Sequence, residues 1–411
     1  MKIAYLVPYT PSQIRPRPFR FLKTLARNEN HITLFTVWTD QSEIAALEEL
    51  KSFGIRIVAT HLTRARALWN SLRALPGRVP LQACYSWEPA LAAHWAQAVR
   101  DSNFDILHVE HLRGARYGLH IRNVLANASP RIVWDSVDCI SGLFSRASTQ
   151  SVSAGHRLIT RIEYPRTRAY EAKLIRTFDE TIVVSETERR SLMDLPTDMP
   201  HPNPESHIHI VPTGVDVDYF ARAQKAHDAN TIVFTGKMSY HANIAAAHFL
   251  LNDIMPRVWA HEPDAQVLIV GADPPAALKR TAAARHDRVT VTDTVPDVRP
   301  YLERATVAAA PIVYGAGIQV KILEALAMQT PVVTTDTAAA ALNAQSERDM
   351  LVAADADEFA KQILRVLHTP ALQAALKQNG RAFVEKFFSI QACTDKLCRV
   401  YDQTVHTHKG A

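Results

Sequence analysis

The stretch VAAAPIVYGAGIQVKILEALAMQTPVV, from Val307 to Val333, decides the fold. It opens with a short apolar run and passes through a proline and two glycines. It then continues with apolar residues at three-to-four spacing, as in a helix, and ends in a second apolar run. Short buried strands joined by a helix are typical of a parallel sheet with crossover connections. The stretch therefore predicts a strand–helix–strand unit.

The same alternation runs along the chain in two series. The first series predicts strands at Ile3–Val7, Ile32–Val37, Ile55–Ala59, Ile106–Glu110, Ile132–Asp135 and Thr181–Val184. The second predicts strands at Thr231–Thr235, Val267–Val270, Val289–Thr292, Val307–Ala310 and Val332–Thr334. Helical patterns lie between these runs. The fold class is therefore α/β, with two Rossmann-like, doubly wound domains that we expect to face a cleft.

The boundary between the domains is predicted near residues 212–230, after a polar stretch rich in proline and histidine. We expect an N-terminal, acceptor-side domain over residues 1–215 and a C-terminal, donor-binding domain over residues 216–389. The final helix, about 390–411, is expected to pack back on the first domain. No GxGxxG follows the first strand, which argues against a dinucleotide oxidoreductase.

The amino-acid composition indicates what kind of protein this is and where it is found. The 411 residues are 47% apolar and 21% charged, with 13 glycines, as in an ordinary globular chain. No apolar run approaches the roughly 18 to 20 residues of a membrane span, and the first apolar run stops at Pro8, unlike a signal peptide. Four scattered cysteines without zinc spacing suit a reducing cytoplasm. We therefore expect a cytoplasmic protein, with a position on the inner face of the membrane left open.

The net charge of +5 is unevenly distributed. Residues 1–215 contain 26 of the 46 basic and 20 of the 41 acidic residues, so the remainder holds 20 and 21. The whole basic excess therefore lies in the first half. Such a surface suits an anionic membrane, a phosphorylated substrate or nucleic acid, and it is equally compatible with an ordinary soluble surface. Nucleic acid is disfavoured because no recognition module accompanies the basic residues.

Two lysines follow strand ends in the second series. Gly315 and Gly317 precede a helix that carries Lys321, and Glu324 lies one turn further on the same face. Glycines permit close backbone approach, and a helix N-terminus with a lysine favours phosphate, while a carboxylate can accept hydrogen bonds from ribose hydroxyls. The alternative is an ordinary solvent-exposed Lys–Glu pair.

A second element, TIVFTGKMSYHANIAAAHFL, places Gly236 and Lys237 after the strand Thr231–Thr235. Ligands of such sheets bind beyond the carboxyl ends of the strands, so Lys237 is expected to face the same phosphates. Taken alone it is an ordinary surface lysine. Because Lys237 and Lys321 follow strand ends of the same domain, each supports the interpretation of the other as a phosphate-binding residue.

Nearly all of residues 208–402 resembles the donor-binding domain of retaining GT-B glycosyltransferases of group 1 (family 4). The resemblance rests on the segments IVPTGVDVDYF, IVFTGKMSYHAN, QVLIVGADP, VTVTDTVPDVRPYLERATVAAAPIVYGAGIQVKILEALAMQTPVVTT and GRAFVEKFFS…LCRVYDQ. It is closest to the bacterial sugar transferases associated with exopolysaccharide and exosortase clusters. The N-terminal half resembles the same subgroup more loosely, through VPYTPSQIRPRPFRFLKTLAR.

The resemblance implies a role for each donor-side residue. Lys237 and Lys321 stand where the family holds the donor diphosphate, and Glu324 stands where it holds the ribose. Backbone around Val295 corresponds to the region that reads the base. The loop that holds the diphosphate and sugar is implied to comprise Gly236, Gly315, Ala316, Gly317, Ile318 and Gln319.

Two positions depart from the family pattern. Ala316 replaces the first glutamate of the usual pair, which contacts the sugar, and Ala242 replaces a second basic residue. Both departures are also typical of the exopolysaccharide subgroup. They motivate one alternative, a non-catalytic GT-B partner protein.

On the acceptor side the candidates are Arg17, Glu110, His111 and Asp138. Arg17 matches a basic position at the start of a helix, and His111 matches a histidine that family members often place near the transferred sugar. His108, Glu110 and His111 also suggest a metal site, but no helix presents them on one face and no fourth ligand is evident, so we expect no metal. For Asp138, capping of the helix from Ile140 is the equal alternative.

The segment RARALWNSLRALPGRVPLQ reads as a basic amphipathic helix. Its arginines, Arg64, Arg66, Arg73 and Arg78, alternate with Leu68, Trp69, Leu72 and Leu75. Such a helix suits an anionic lipid surface. The alternative is that its apolar face packs on the core of its own domain.

These observations together predict a retaining, metal-independent glycosyltransferase. We expect it to move a sugar from a UDP- or GDP-sugar to a hydroxyl of a glycan or polyprenyl-diphosphate-linked acceptor, in exopolysaccharide or cell-surface glycan synthesis. The nucleotide sugar is a co-substrate, and no cofactor is expected. Lys237, Lys321, Glu324 and His111 are the predicted catalytic residues. A nucleotide-sugar epimerase on the same fold is the remaining alternative.

Overall fold

The computed structural model describes residues 1–125, 130–150, 154–195, 207–223, 228–285, 287–313 and 317–409. Its contacts divide the chain into two compact units. The first unit comprises Met1–Gly214 and Cys393–Ala411, and the second comprises Val215–Ala392. Each unit has its own apolar core.

The first unit is built on a seven-stranded parallel sheet, in the order β3-β2-β1-β4-β5-β6-β7. Its strands are β1 Lys2–Val7, β2 His31–Trp38, β3 Arg56–His61, β4 Ile106–Glu110, β5 Arg131–Val137, β6 Glu180–Val183 and β7 Ile208–Ile210. The helices are α1 Pro16–Arg27, α2 Ile44–Lys51, α3 Arg64–Ala74, α4 Leu81–Tyr85, α5 Pro89–Asp101, α6 His111–Leu125, α7 Ile140–Gln150, α8 Ala154–Thr177 and α9 Glu186–Met193. The central strands are buried along their length, because helices cover both faces of such a sheet.

The second unit repeats this arrangement on six parallel strands, in the order β10-β9-β8-β11-β12-β13. Its strands are β8 Thr231–Thr235, β9 Gln266–Val270, β10 Val289–Val291, β11 Val307–Ala310, β12 Val332–Thr335 and β13 Leu351–Ala353. The helices are α10 His241–Phe249, α11 Met255–Trp259, α12 Ala276–Ala283, α13 Arg299–Arg304, α14 Val320–Ala327, α15 Asp336–Leu342, α16 Ala356–His368 and α17 Pro370–Phe388. A last helix, α18 Ile390–Lys409, begins in the second unit and belongs to the first unit from Cys393 onward. A π-helical turn, Leu250–Ile254, joins α10 to α11.

In both sheets the chain starts near the middle, winds to one edge, and then returns to the middle to build the other half. The direction of winding reverses between β1 and β4 in the first sheet and between β8 and β11 in the second. A crevice opens at the carboxyl ends of the strands wherever the winding reverses. The fold therefore marks one place in each unit where a ligand is expected.

The helix α18 begins with residues of the second unit and continues with residues of the first unit. Its first residues pair with the segment that enters the second unit: the Ile390 amide donates to the Val215 carbonyl, and the Val215 amide donates to the Phe388 carbonyl. Further along, the fully buried Tyr401 belongs to the first unit, where its hydroxyl lies 2.8 Å from Nδ1 of His108. Its last turns thus complete the core of the first unit.

Candidate functional site

Two glycines whose backbones touch lie at the carboxyl ends of β8 and β9, beside the reversal point between β8 and β11 of the second sheet. Gly236 directly follows β8 and Gly271 directly follows β9, with φ values of 153° and 152°. A Cβ on Gly271 would lie 1.8 Å from the Gly236 carbonyl oxygen, so no side chain fits there. This close approach leaves bare backbone at the carboxyl edge of the sheet, as needed where a ligand must come close.

Lys321 lies directly behind this backbone. It occupies the first turn of α14, and its Nζ lies 3.0 Å from the position a Cβ of Gly236 would take. The ammonium donates to Oδ1 of Asn243 and sits 4.6 Å from the centre of the Phe234 ring. Burial lowers the pKa of Lys321 to about 8, although the neighbouring Glu324 carboxylate acts in the opposite direction.

Asn243 connects the parts of this site. Its amide Nδ2 donates to the Lys237 carbonyl at 2.9 Å while its Oδ1 accepts from Lys321. Sequence reasoning missed this residue. The one available signal was its place in the first turn of the helix after Gly236, where a short polar side chain is within reach of the preceding loop.

Lys237 and Glu324 occupy different environments. The side chain of Lys237 is 65% exposed, with its Nζ 3.8 Å from Asp273. Glu324 is partly buried on α14, in the helix of Lys321. The structure thus brings Gly236, Lys321 and Asn243 together and leaves the Lys237 ammonium at the surface nearby. An exposed cation beside a partly buried one can neutralise a group with two negative charges.

The other predicted donor-side residues follow the ends of β10 and β11. Gly317, at φ 90°, leads through Ile318 and Gln319 into α14, and Gln319 is the residue that precedes its first turn. Val295 lies in the loop after β10 and packs against the core. Gly315 and Ala316 lie outside the described residues, so their predicted roles stay predictions.

The reversal point of the first sheet holds a buried cluster of charged side chains. Asp135 accepts two hydrogen bonds on one oxygen, from Nη2 of Arg17 at 2.7 Å and from Nε at 3.2 Å. Glu110 accepts from the hydroxyls of Tyr5 and Tyr9, both at 3.1 Å. Arg17 is 6% exposed, and Glu110 and Asp135 are inaccessible to solvent. Each strand-end carboxylate therefore has its partners inside the first unit.

His108 lies between these two carboxylates. Its Nε2 is 3.9 Å from an oxygen of Glu110 and 3.9 Å from an oxygen of Asp135, and among the described residues it has no hydrogen-bond partner. His108, Glu110 and Asp135 thus group one nitrogen and two carboxylates, a set that suits a metal ion. However, the Arg17 guanidinium already supplies positive charge to Asp135, so these residues fit a divalent ion poorly.

The pKa values in this cluster follow from burial. Burial raises the pKa of Glu110, and the nearby Asp135 raises it further. Burial likewise lowers the pKa of His108 well below its usual value. For Arg17 burial acts downward, but the carboxylates of Asp135 and Glu110 outweigh it and the pKa is raised. A neutral His108, a neutral Glu110 and an Arg17–Asp135 ion pair give the cluster little net charge.

His111 and Asp138 lie at the edge of this cluster and are partly buried. His111 has φ 64°, and Val137, beside Asp138, has φ 66°; both are strained values for residues with side chains. Burial lowers the pKa of His111 to about 3, so its ring is neutral at pH 7. Backbone strain is concentrated at functional sites, and here it lies at two neighbouring strand ends.

Two amides at the start of α7 are capped by a carboxylate from α8. The amides of Ile140 and Ser141 donate to the carboxylate of Glu171, at 2.8 and 3.1 Å. The preceding amide, of Cys139, donates to Glu188. The role predicted for Asp138 therefore stays a prediction.

The comparisons with known proteins agree with this architecture. Residues 229–369 match the family model described as "Glycosyl transferases group 1". A glycosyltransferase from Rickettsia africae ESF-5 superposes with a TM-score of 0.69 at 13% identity, covering 98% of both chains. HepE of Anabaena, crystallised with UDP and glucose, gives 0.68 at 14% identity, covering 98% of this chain and 99% of its own.

A third similar structure is the sucrose-phosphate synthase of Thermosynechococcus elongatus, with a TM-score of 0.69 at 18% identity, covering 99% of this chain and 100% of the other. No curated protein matches the sequence. The likeness to solved structures shows the fold: two Rossmann-like parallel sheets of the GT-B type, as predicted. The second unit contains a match to the group 1 glycosyltransferase domain, also as the resemblance implied.

Proposed function

We propose that this protein is a retaining glycosyltransferase that uses a nucleoside-diphosphate sugar, with UDP or GDP as the nucleotide. The acceptor is a hydroxyl of a glycan or polyprenyl-diphosphate-linked glycan, in exopolysaccharide or cell-surface glycan synthesis. The group 1 domain match supports the reaction class. The UDP and glucose bound to HepE, a protein of the same fold, support the donor class.

One observation carries the proposal: the Lys321 ammonium lies behind the bare backbone of Gly236 at the reversal point of the second sheet. A partly buried ammonium whose hydrogen-bond partner is neutral favours an arriving anion, because no carboxylate of the described residues is in contact with it. The first turn of α14 adds amide groups and the positive end of the helix dipole. These are the features that a diphosphate requires.

The chemistry then follows from charge. When the bond between the sugar C1 and the diphosphate oxygen breaks, the leaving group gains negative charge that Lys321 and Lys237 stabilise. The acceptor oxygen forms its bond to C1 on the same face, and its proton passes to the departing phosphate oxygen. Glu324 holds the ribose, and backbone near Val295 contacts the base. This scheme needs no acid–base pair of side chains and no metal ion.

In the first unit, we propose that His111 and Asp138 contact the sugar and acceptor. Arg17 and Glu110, which the sequence placed on the acceptor side, are buried among their own partners. We propose that they act by holding the strand ends from which His111 and Asp138 project. Because His111 is neutral at pH 7, it serves as a hydrogen-bonding group in this scheme and not as a cation.

One observation favours the second candidate, a non-catalytic partner protein. Ala242, which stands in place of a basic residue, is 5% exposed within α10. No cation can act from that position, so Lys237 and Lys321 would be the two cations proposed to hold the diphosphate. A non-catalytic partner would bind the nucleotide without transferring or hydrolysing the sugar.

A nucleotide panel tests the proposal. A bound donor raises the melting temperature by mass action, so UDP-, GDP- and other nucleotide sugars are screened by thermal shift, followed by measurement of donor hydrolysis. The variant Lys321→Met is expected to lose about a hundredfold in affinity for the best ligand, since charge-assisted hydrogen bonds are lost.

The matched control is Lys279→Met, an exposed lysine of the same unit that pairs with Asp293. It should bind the nucleotide as the wild type does. If no nucleotide sugar binds, or if Lys321→Met binds with unchanged affinity, the assigned donor site is wrong. Binding without hydrolysis or transfer to any acceptor would favour the non-catalytic partner.

A further inference from the structure

The helix α3 presents its apolar side to solvent. Leu68, Trp69, Leu72 and Leu75 are 63%, 56%, 58% and 50% exposed, whereas the buried residue of the helix is Ala67. The alternative that this apolar face packs on the core of its own unit is therefore wrong. Four large apolar side chains along one side of a helix form an exposed patch of the kind that marks an interaction site.

A second group of apolar side chains extends this patch from α8. Leu158, Ile159 and Ile162 are 61%, 57% and 50% exposed. The two helices are tied together, since Nη2 of Arg166 in α8 donates to the Leu75 carbonyl at 2.7 Å. Ser71 of α3 and Ile159 of α8 also line one depression of about 320 Å³. We call this continuous surface the α3–α8 face.

The α3–α8 face carries basic residues around its apolar residues. At 100° per residue, Arg64 lies on one side of the exposed stripe of α3 and Arg73 lies on the other. Arg78 and Arg161 are exposed on the following loop and on α8. An apolar stripe between rows of arginine is the arrangement of helices that lie in the plane of a membrane interface.

A basic pocket of about 470 Å³ lies beside the stripe, between α3, α6 and α8. Its cations are Arg66, Arg73, Arg116 and Lys173, and its aromatic walls are Trp69, Trp87 and Tyr170. Among the described residues no acidic side chain lines it, although Arg66 pairs with Glu88 at 3.5 Å. Within the described part of the chain, no carboxylate pairs with Arg73, Arg116 or Lys173, and the Arg116 guanidinium stacks 4.4 Å from the Trp87 ring. Such a pocket suits a phosphate that enters from an apolar surface.

We infer that the α3–α8 face binds the anionic surface of a lipid bilayer, with Leu68, Trp69 and Leu72 inserted among the lipids and one lipid phosphate held in the basic pocket. Charge and apolarity occur on the same face, and a bilayer interface satisfies both. A second copy of the chain fits less well, because a twofold contact would place the arginine rows against each other. Among the described helices, none is long and apolar enough to cross a bilayer.

Vesicle flotation tests this inference, and it needs neither donor nor acceptor. The full chain is mixed with vesicles of phosphatidylcholine alone or of phosphatidylcholine with phosphatidylglycerol. We expect binding to the anionic vesicles only. The double variant Leu68→Ser/Leu72→Ser should bind about a hundredfold more weakly, and Arg73→Glu or Arg116→Gln about tenfold more weakly.

Matched controls separate the face from general surface effects. Ile14→Ser removes an apolar side chain that is 89% exposed elsewhere in the first unit, and Arg280→Glu reverses an exposed charge in the second unit. Both should bind vesicles as the wild type does. The substituted residues of the double variant are exposed, so an unchanged melting temperature shows that it folds.

Several outcomes would overturn the inference. The wild type would fail to bind anionic vesicles, or the double serine variant would bind them normally. A dimer that the double variant disrupts would identify a second copy as the occupant. A thermal shift with inorganic phosphate that Arg116→Gln abolishes, without vesicle binding, would reduce the pocket to a site for free phosphate. Loss of sugar transfer alone would not count against it, because the flotation assay is independent of the proposed reaction.

Discussion

The two sheets share one strand order, and their reversal points occupy equivalent places in it. The side chains at the two points differ: those in the first unit are paired with each other, whereas those in the second leave a positive charge for a ligand. In the first unit the site is filled: Arg17 pairs with Asp135, and two tyrosines donate to Glu110. In the second unit glycine backbone lines the site, and the Lys321 ammonium has only a neutral hydrogen-bond partner among the described side chains. A fold that creates the same crevice twice can use one copy for stability and keep the other for a ligand.

The substitution Arg17→Met has the largest expected effect and tests whether the cluster of the first unit serves stability. It leaves the Asp135 carboxylate buried without its cation, so we expect a loss of about 3–5 kcal/mol in the free energy of unfolding. Denaturant titration measures it. Lys23→Met, which removes one partner of an exposed pair with Glu49, should cost less than about 1 kcal/mol. A loss as small for Arg17→Met would mean that the first cluster is not a structural unit.

In the second unit the corresponding test concerns binding. Glu324→Ala should weaken donor affinity by about thirtyfold, or about 2 kcal/mol, because the ribose hydroxyls lose a charged acceptor. Calorimetric titration with the nucleotide found by the panel measures the loss. Glu385→Ala, a change on the exposed side of α17, serves as the control. Unchanged affinity of Glu324→Ala would refute the ribose role.

A smaller effect is expected from Gly236→Ala. The added Cβ would lie 2.8 Å from Nδ2 of Asn243 and 3.0 Å from Nζ of Lys321, at a φ that disfavours side chains. We expect about 1 kcal/mol of destabilisation, together with weaker nucleotide binding because Lys321 is displaced. Gly155→Ala is the control, since no atom lies within 4 Å of its added Cβ and its φ is ordinary. Wild-type stability and affinity would show that the backbone approach is unimportant.

The smallest expected effect is the pH dependence that Lys321 gives to stability and to nucleotide affinity. Burial lowers the pKa of Lys321 to about 8, below its unfolded value, so the charged form costs stability in the folded state. Relative to Lys321→Met, the wild type should therefore gain stability as pH rises from about 8 toward the unfolded pKa of about 10.4. Nucleotide affinity should fall over the same range, because the ammonium loses its proton. Parallel pH titrations of both proteins would detect the difference, and identical curves would contradict it.

The sequence predicted most of this fold because its central strands are short, mostly apolar runs. Ile106–Glu110, Thr231–Thr235 and Val307–Ala310 have the predicted bounds. The edge strands Ile208–Ile210 and Leu351–Ala353 were missed, since three residues are too short for a recognisable pattern. The helical pattern between the first two strands of the second series is interrupted by a π-helical turn, Leu250–Ile254, which no spacing of apolar residues indicates.

The candidate sites could be predicted only where the strand order alone brings their residues together. Gly236 and Lys321 meet because residues that follow neighbouring parallel strands share one edge of the sheet, which topology alone implies. The contact of His108 with Tyr401, 293 residues apart, depends on packing that no local signal reveals. Likewise, the pattern of α3 specified an amphipathic helix but not whether the rest of the chain would cover it.

The path of the chain through α18 also has a consequence for the order of synthesis. The strands of the first sheet precede the second unit in the chain, yet a buried partner of its central His108 is Tyr401, which is made after the entire second unit. During translation the second unit can therefore finish folding while the first still exposes part of its interior. The helix α18 therefore completes the core of the first unit only after the second unit has been synthesised.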